Sequence, residues 1–319
     1  MRFVRLLPCL ASFVLIPSLA AQTQADAKKD PDQIGSRDVS KGVNWYSIPK
    51  ELALGKQLAA QVARNSILID DPVITEYVNR LAQNLARNSD TKFPITTQVI
   101  QDDSINALSL PGGFFFVNTG LVLAAANESE LAGAMAHEIA HIAARHGTRT
   151  ATRGQIAQLS TIPLIFIGGW PGVGASQAAN AAIPIGLLQF SKAFESEADL
   201  LGLEYLYKSG YDPEGMVDIF EKIEALEQKQ PGRVAKIFMD HPATGDRIVK
   251  VQQDIQELLK AQPQYVVNTS EFDRVKARLQ ALENRRRNQP ASPNKPTLRR
   301  RLDTGDLVAR NGFFTGASH

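Results

Sequence analysis

The segment His137-Glu138-Ile139-Ala140-His141 places two histidines four residues apart with an acid beside the first. On a helix that spacing stacks both imidazoles on one face, one turn apart, where they can bind a single zinc ion. Glu138 then lies about 100° round the axis. It misses the metal but can reach a metal-bound water, the position of a general base in hydrolysis. The bland alternative buries three polar side chains in an Ala-rich helix without partners, at a few kcal/mol each. Metal ligation removes that difficulty.

A catalytic zinc needs a third protein ligand and one open position. The only cysteine is Cys9, so the ligand must be a histidine or a carboxylate. The stretch Ser191–Gly202 (SKAFESEADLLG) supplies candidates. Glu195, Asp199 and Gly202 follow at i, i+4 and i+7 and share a helix face, whereas Glu197 falls on the opposite side. Glu195 is the expected third ligand. Asp199 is expected to orient a ligating histidine or to handle a proton near the substrate, with Gly202 permitting close approach. Glu197 is read as a solvated helix charge, and His146 and His319 as surface residues.

These side chains need a scaffold. Pro49 to Asn65 and Pro72 to Asn88 carry apolar residues at three- and four-residue spacing, each opening on a proline suited to a first helical turn. Phe93 to Ile100 and Gly113 to Asn118 have the β-branched and aromatic content of strands. The motif helix is expected over Asn127 to His146, with Asn127 and Glu130 as a capping pair and Gly147 as its stop. Its many alanines let neighbours pack close. Further helices are expected over Ser191 to Ser209, Pro213 to Gln228, Pro242 to about Ala261 and Ser270 to Arg287. The fold class is α+β, mainly helical, with a small mixed sheet beside the motif helix. Gly112, Gly113 and Phe114 open a strand whose free edge could pair with an extended peptide.

The run HEIAHIAARHG, followed 54 residues after His141 by the E-x-x-x-D of Glu195 and Asp199 and then Gly202, resembles the zinc metallopeptidases of family M48. That family includes the HtpX and CAAX prenyl endopeptidases and the periplasmic assembly protease BepA. The resemblance spans about Trp45 to Ala261. It implies a zincin fold of gluzincin type with one Zn2+ per chain. It further implies His137, His141 and Glu195 as ligands, Glu138 as base and Asp199 as an active-site acid. The segment Asp240-His241-Pro242, with Arg247-Ile248, resembles the family's H-P-x-x-x-x-R-I element. By that resemblance His241 can take the open zinc position as a regulatory ligand, and Arg247 is a partner for an active-site carboxylate. The multiple transmembrane helices of the HtpX and CAAX branches have no counterpart in the sequence pattern, nor does BepA's long helical-repeat domain.

Residues 1–21 read as a secretory signal peptide: Arg2 and Arg5, an apolar run from Leu6 to Ile16, and a small-x-small site at Ser18–Ala20. Cleavage removes both arginines and Cys9, leaving a formally neutral chain without thiols, suited to an oxidising exported compartment. A net charge of +2 offers no broad basic surface, so nucleic acid is not an expected partner. Residues 22–44 are polar and aperiodic and read as a flexible linker. Residues 45–262 form the expected peptidase domain, and 263–319 a charged tail, partly helical or disordered. Leu159 to Leu188 is apolar but broken by proline and glycine; it suits a lid or core wall, with peripheral membrane contact as the rival reading. The expected function is a periplasmic endopeptidase acting on protein or peptide substrates, such as misfolded envelope proteins. A chaperone or assembly factor whose protease site is latent under His241 is the alternative.

Overall fold

Asp71 starts the second of the two helices that open the fold. Its side chain accepts from the Val73 and Ile74 amides and so caps the backbone donors that a first turn leaves unpaired. In the computed structural model, which describes residues 29–166, 190–229 and 244–288, these helices are α1 (Ile48–Asn65) and α2 (Pro72–Arg87). On α2, Ile74, Tyr77, Val78, Leu81 and Leu85 form one buried stripe facing strand β1 (Thr96–Ile100) and the motif helix. Each such aliphatic side chain contributes about 1.5–3 kcal/mol through burial.

Strand β1 belongs to a three-stranded sheet with β2 (Ala107–Leu110) and β3 (Phe114–Asn118), in the order β1-β3-β2. β1 runs parallel to β3 in a register set by Thr96 opposite Phe114, and β2 runs antiparallel with Leu110 opposite Phe114. Strand β3 is therefore central. The expectation that Gly112, Gly113 and Phe114 present a free strand edge is corrected: Phe114 is paired on both sides, and the two glycines form the turn between β2 and β3. Gly112 and Gly113 have φ of 79° and 91°, left-handed values that only glycine adopts without strain. Among the described residues the sheet's edge strand beside the motif helix is β2, a strand too short and too poor in β-branched residues to stand out in the sequence.

After the short helix α3 (Thr119–Ala124) comes α4 (Glu128–Ala143), buried along its whole length. Asn127 accepts from the Glu130 amide at 3.0 Å, while Glu130 accepts from the Ala126 amide at 2.8 Å, so both ends of the capping pair are made. The helix does not run on to Gly147. Arg145 adopts φ 57°, a strained value for a side chain of its size, and α5 (His146–Phe166) begins at the next residue. The strain is held by an ion pair at 2.6 Å from Arg145 to Glu51 of α1.

Helices α6 (Lys192–Lys208) and α7 (Glu214–Lys229) flank α4, and α8 (Gly245–Leu258) packs on both of them. Backbones approach closely where glycine permits. A Cβ on Gly202 would lie 2.9 Å from His137 Cα, and one on Gly133 would lie 2.8 Å from Met216 Cα. Helix α9 (Ser270–Asn288) buries Phe272, Val275 and Leu279. Residues 281–319 cluster as a separate small unit, described only through the end of α9, where Arg286 pairs with Glu283. No helix of the described residues is long and apolar enough to cross a membrane.

Residues 29–44 are not the loose linker their composition suggested. The Arg37 side chain is buried and pairs with Asp90 at 2.9 Å and Glu204 at 2.5 Å, and Asp90 also accepts from Tyr205 Oη and the Gly35 amide. The proposed signal peptide, most of the Leu159–Leu188 segment, His241 and His319 lie outside the described residues.

Candidate metal centre

His137 and His141 stand one turn apart on α4, and Glu195 comes from the first turn of α6, where Ser191 caps the helix by accepting from the Phe194 amide. All three are buried. His137 Nε2 is 3.1 Å from His141 Nε2 and 3.6 Å from Glu195 Oε2, and His141 Nε2 is 3.7 Å from Glu195 Oε1. Neighbouring ligands of a tetrahedral zinc sit about 3.3 Å apart, given bonds of about 2.0–2.1 Å. The donor set fits: two imidazole nitrogens and a carboxylate converge, with no softer ligand beside them among the described residues. They form the single three-residue His/Cys/Asp/Glu cluster among the described residues with ligand atoms within 4.8 Å of one another.

The other nitrogen of each imidazole is also engaged. His137 Nδ1 is 3.0 Å from Asp199 Oδ1. Burial opposes charge on His137, but Asp199 and Glu195 outweigh it and lift its pKa to about 9. Asp199 is held in turn by Arg247 of α8, whose Nε and Nη2 reach its two oxygens at 2.8 and 2.7 Å, while Nη1 lies 3.2 Å from Glu195. Burial would raise the Asp199 pKa, yet the Arg247 guanidinium and His137 keep it below the usual carboxylate range.

Glu138 faces β2. Its Oε2 accepts from Ser109 Oγ at 2.6 Å and from the Ser109 amide at 3.2 Å. A small hollow beside His141 is bounded by Ser109, Leu110, Pro111, Ile142 and Phe190. Phe190 stacks on His141 with ring centroids 4.3 Å apart.

Two sequence expectations are overturned here. His146 is fully buried rather than on the surface, with its Nδ1 3.0 Å from His141 Nδ1. Glu197 is not a solvated charge: its Oε2 lies 3.1 Å from His146 Nε2 and 3.2 Å from Arg149 Nη1. Burial pushes the His146 pKa down, against the pull of Glu197. Neither Ser109 nor His146 was identified as part of the site in sequence. The first sits in an inconspicuous strand, and the second reaches the centre only through the bend at Arg145.

A helix-borne H-E-x-x-H motif, joined by a glutamate from a later helix and backed by a small sheet, defines a zincin of gluzincin type. The model of peptidase family M48 matches residues 72–255. The chain is 31% identical over 255 residues to the beta-barrel assembly-enhancing protease of Escherichia coli K12, covering 77% of this chain and 51% of that protein. It is 34% identical over 252 residues to a putative beta-barrel assembly-enhancing protease of Vibrio cholerae, covering 76% and 50%. It is also 30% identical over 183 residues to the metalloprotease LoiP of E. coli, covering 55% and 69%. The chain belongs to peptidase family M48. It spans about half the length of the two assembly-enhancing relatives.

Proposed function

We propose that the chain is an exported, zinc-dependent endopeptidase that cleaves proteins of the cell envelope in their quality control. One observation carries the chemistry: His137 Nε2, His141 Nε2 and the Glu195 carboxylate converge at 3.1–3.7 Å while Glu138 stands next to His137 on the helix that bears both histidines. His137, His141 and Glu195 would hold the ion. Zinc in such a site polarises a carbonyl and makes a water acidic at neutral pH. Glu138 takes the proton of the attacking water and delivers it to the leaving amine. Asp199 fixes the ring of His137, and Arg247 fixes Asp199. Ser109 holds the Glu138 carboxylate toward β2. An extended substrate adds to the open edge of β2, which carries its scissile bond past Glu138.

The export and envelope reading rests on the signal-like first 21 residues and on the relatives' name, which ties them to β-barrel assembly. The test uses purified protein lacking residues 1–21. It is expected to hold one zinc per chain and to cleave casein. Glu138→Gln is expected to keep the metal and lose cleavage by about 10²–10⁴-fold, the usual contribution of a general base. Undiminished cleavage in that variant would overturn the mechanism. An inert wild type that becomes active on His241→Ala would establish the latent-site alternative.

A further inference from the structure

We infer that His146 is a positioning residue for the metal centre: it fixes the tautomer and orientation of His141 through a relay anchored by Glu197 and Arg149. The inference rests on the zinc reading of His137, His141 and Glu195 and goes beyond it to a residue on another helix.

The proton count gives the relay a direction. His141 turns Nε2 toward His137 and Glu195, so its ligating lone pair is on Nε2 and its proton on Nδ1. That N–H points at His146 Nδ1, 3.0 Å away, which must therefore accept. A neutral imidazole that accepts at Nδ1 carries its own proton at Nε2. His146 Nε2 lies 3.1 Å from Glu197 Oε2, an acceptor. His141 Nδ1–H thus donates to His146, and His146 Nε2–H donates to Glu197. The carboxylate at the far end makes His146 a stronger acceptor and His141 a more basic ligand, as a carboxylate does behind a metal-bound histidine.

Four features hold the relay in place. The left-handed turn at Arg145 folds His146 back along α4, five residues after His141. The His146 ring is stacked on Phe194 with centroids 4.2 Å apart. Arg149 donates from Nη1 to both Glu197 and the Ala144 carbonyl, which ties α5 to the end of α4. Its guanidinium also lies 4.4 Å from the centre of the Phe194 ring. The two ligating histidines are thus supported differently, His137 by a direct carboxylate and His141 by a histidine interposed before the carboxylate.

The experiment measures zinc affinity by chelator competition, and the ring-nitrogen NMR shifts of His141, in the wild type, His146→Phe, His146→Asn and Glu197→Ala. Phenylalanine keeps the stacking on Phe194 but has no acceptor, whereas asparagine restores one near the Nδ1 position. His146→Phe is expected to weaken zinc binding about 10–100-fold and to mix the His141 tautomers, with His146→Asn recovering most of the affinity. Glu197→Ala changes only a partly exposed side chain and is expected to weaken zinc binding by more than about threefold but less than His146→Phe does. Should His146→Phe fail to fold, Glu197→Ala and His146→Asn decide the matter. Zinc affinity within threefold of wild type in folded His146→Phe or in Glu197→Ala, with His141 still a single tautomer, overturns the inference. Absence of zinc binding by the wild type would instead refute the metal reading itself.

Discussion

Ser109 Oγ lies 2.6 Å from Glu138 Oε2, and the amide of the same residue reaches that oxygen at 3.2 Å. One residue of the edge strand therefore aims the acid of the motif with two donors. Removing the hydroxyl leaves the amide in place, so the carboxylate is loosened rather than released. A hydrogen bond to a charged group is worth about 1.5–3 kcal/mol, and a share of that in the barrier lowers the rate roughly tenfold. Ser109→Ala is expected to lower kcat by about that factor with KM nearly unchanged. Steady-state kinetics on a defined peptide checks it; a change confined to KM would mean that Ser109 serves substrate binding instead.

Gly202 sets the distance between α4 and α6. A Cβ there would come within 2.9 Å of both N and Cα of His137, and the obstructing atoms are backbone that cannot swing aside. Gly202→Ala must push the helix bearing Glu195 away from the helix bearing the histidines. Overpacking of this kind costs about 1–3 kcal/mol. The expected outcome is a lower melting temperature together with weaker zinc binding, whereas Gly154→Ala, inside α5 with no described atom within 4 Å of its Cβ, leaves zinc binding unchanged and raises the melting temperature slightly through its helix propensity. Calorimetry and chelator competition on the two variants make the comparison.

The sequence disclosed the parts of the site that are encoded locally. The H-E-x-x-H spacing, the Asn127 and Glu130 cap and the shared face of Glu195, Asp199 and Gly202 follow from helix geometry alone. Features made by distant contacts were hidden. Strand β3 is central because β1 and β2 both select it, and no periodicity within Phe114–Asn118 distinguishes a central strand from an edge. Arg37 looked like one charge in a polar linker because its partners, Asp90 and Glu204, lie 53 and 167 residues away. His146 looked exposed because the expected helix carried it to the end of a straight rod. The bend at Arg145, held by Glu51 far upstream, returns it to His141.

Arg247 is the link from α8 to the centre. It grips both oxygens of Asp199 and touches Glu195, and all three side chains are largely withdrawn from water. Deleting one member of a buried ion pair leaves the other charge uncompensated, at about 3–5 kcal/mol. Arg247→Ala is expected to destabilise the protein by that order and to release His137 from its fixed orientation. Arg247→Lys keeps the charge but loses the two-pronged geometry and is expected to recover only part of the stability. Chemical denaturation gives the free energies, and zinc content after dialysis reports the orientation of His137.

Glu204 gives the fold a pH dependence of unusual sign for a carboxylate in an ion pair. It is fully buried, shares Arg37 with Asp90, and its Oε1 has no hydrogen-bond partner among the described residues. Burial raises its pKa from the ordinary 4.5 to about 7, because one guanidinium only partly offsets the cost of two neighbouring carboxylates. Between those values the folded protein keeps a proton that the unfolded chain has released. The contribution of Glu204 to stability is therefore full below about pH 4.5 and falls as pH rises toward 7. The loss is on the order of 2–3 kcal/mol over that range. Glu204→Gln has no proton to lose, so its stability relative to wild type should be flat below pH 4.5 and climb steadily to pH 7. Denaturant unfolding of both proteins from pH 4 to 8 measures the difference. A constant gap across the range would mean that Glu204 titrates in the folded protein as it does in the unfolded chain, with Arg37 offsetting the full cost of its burial.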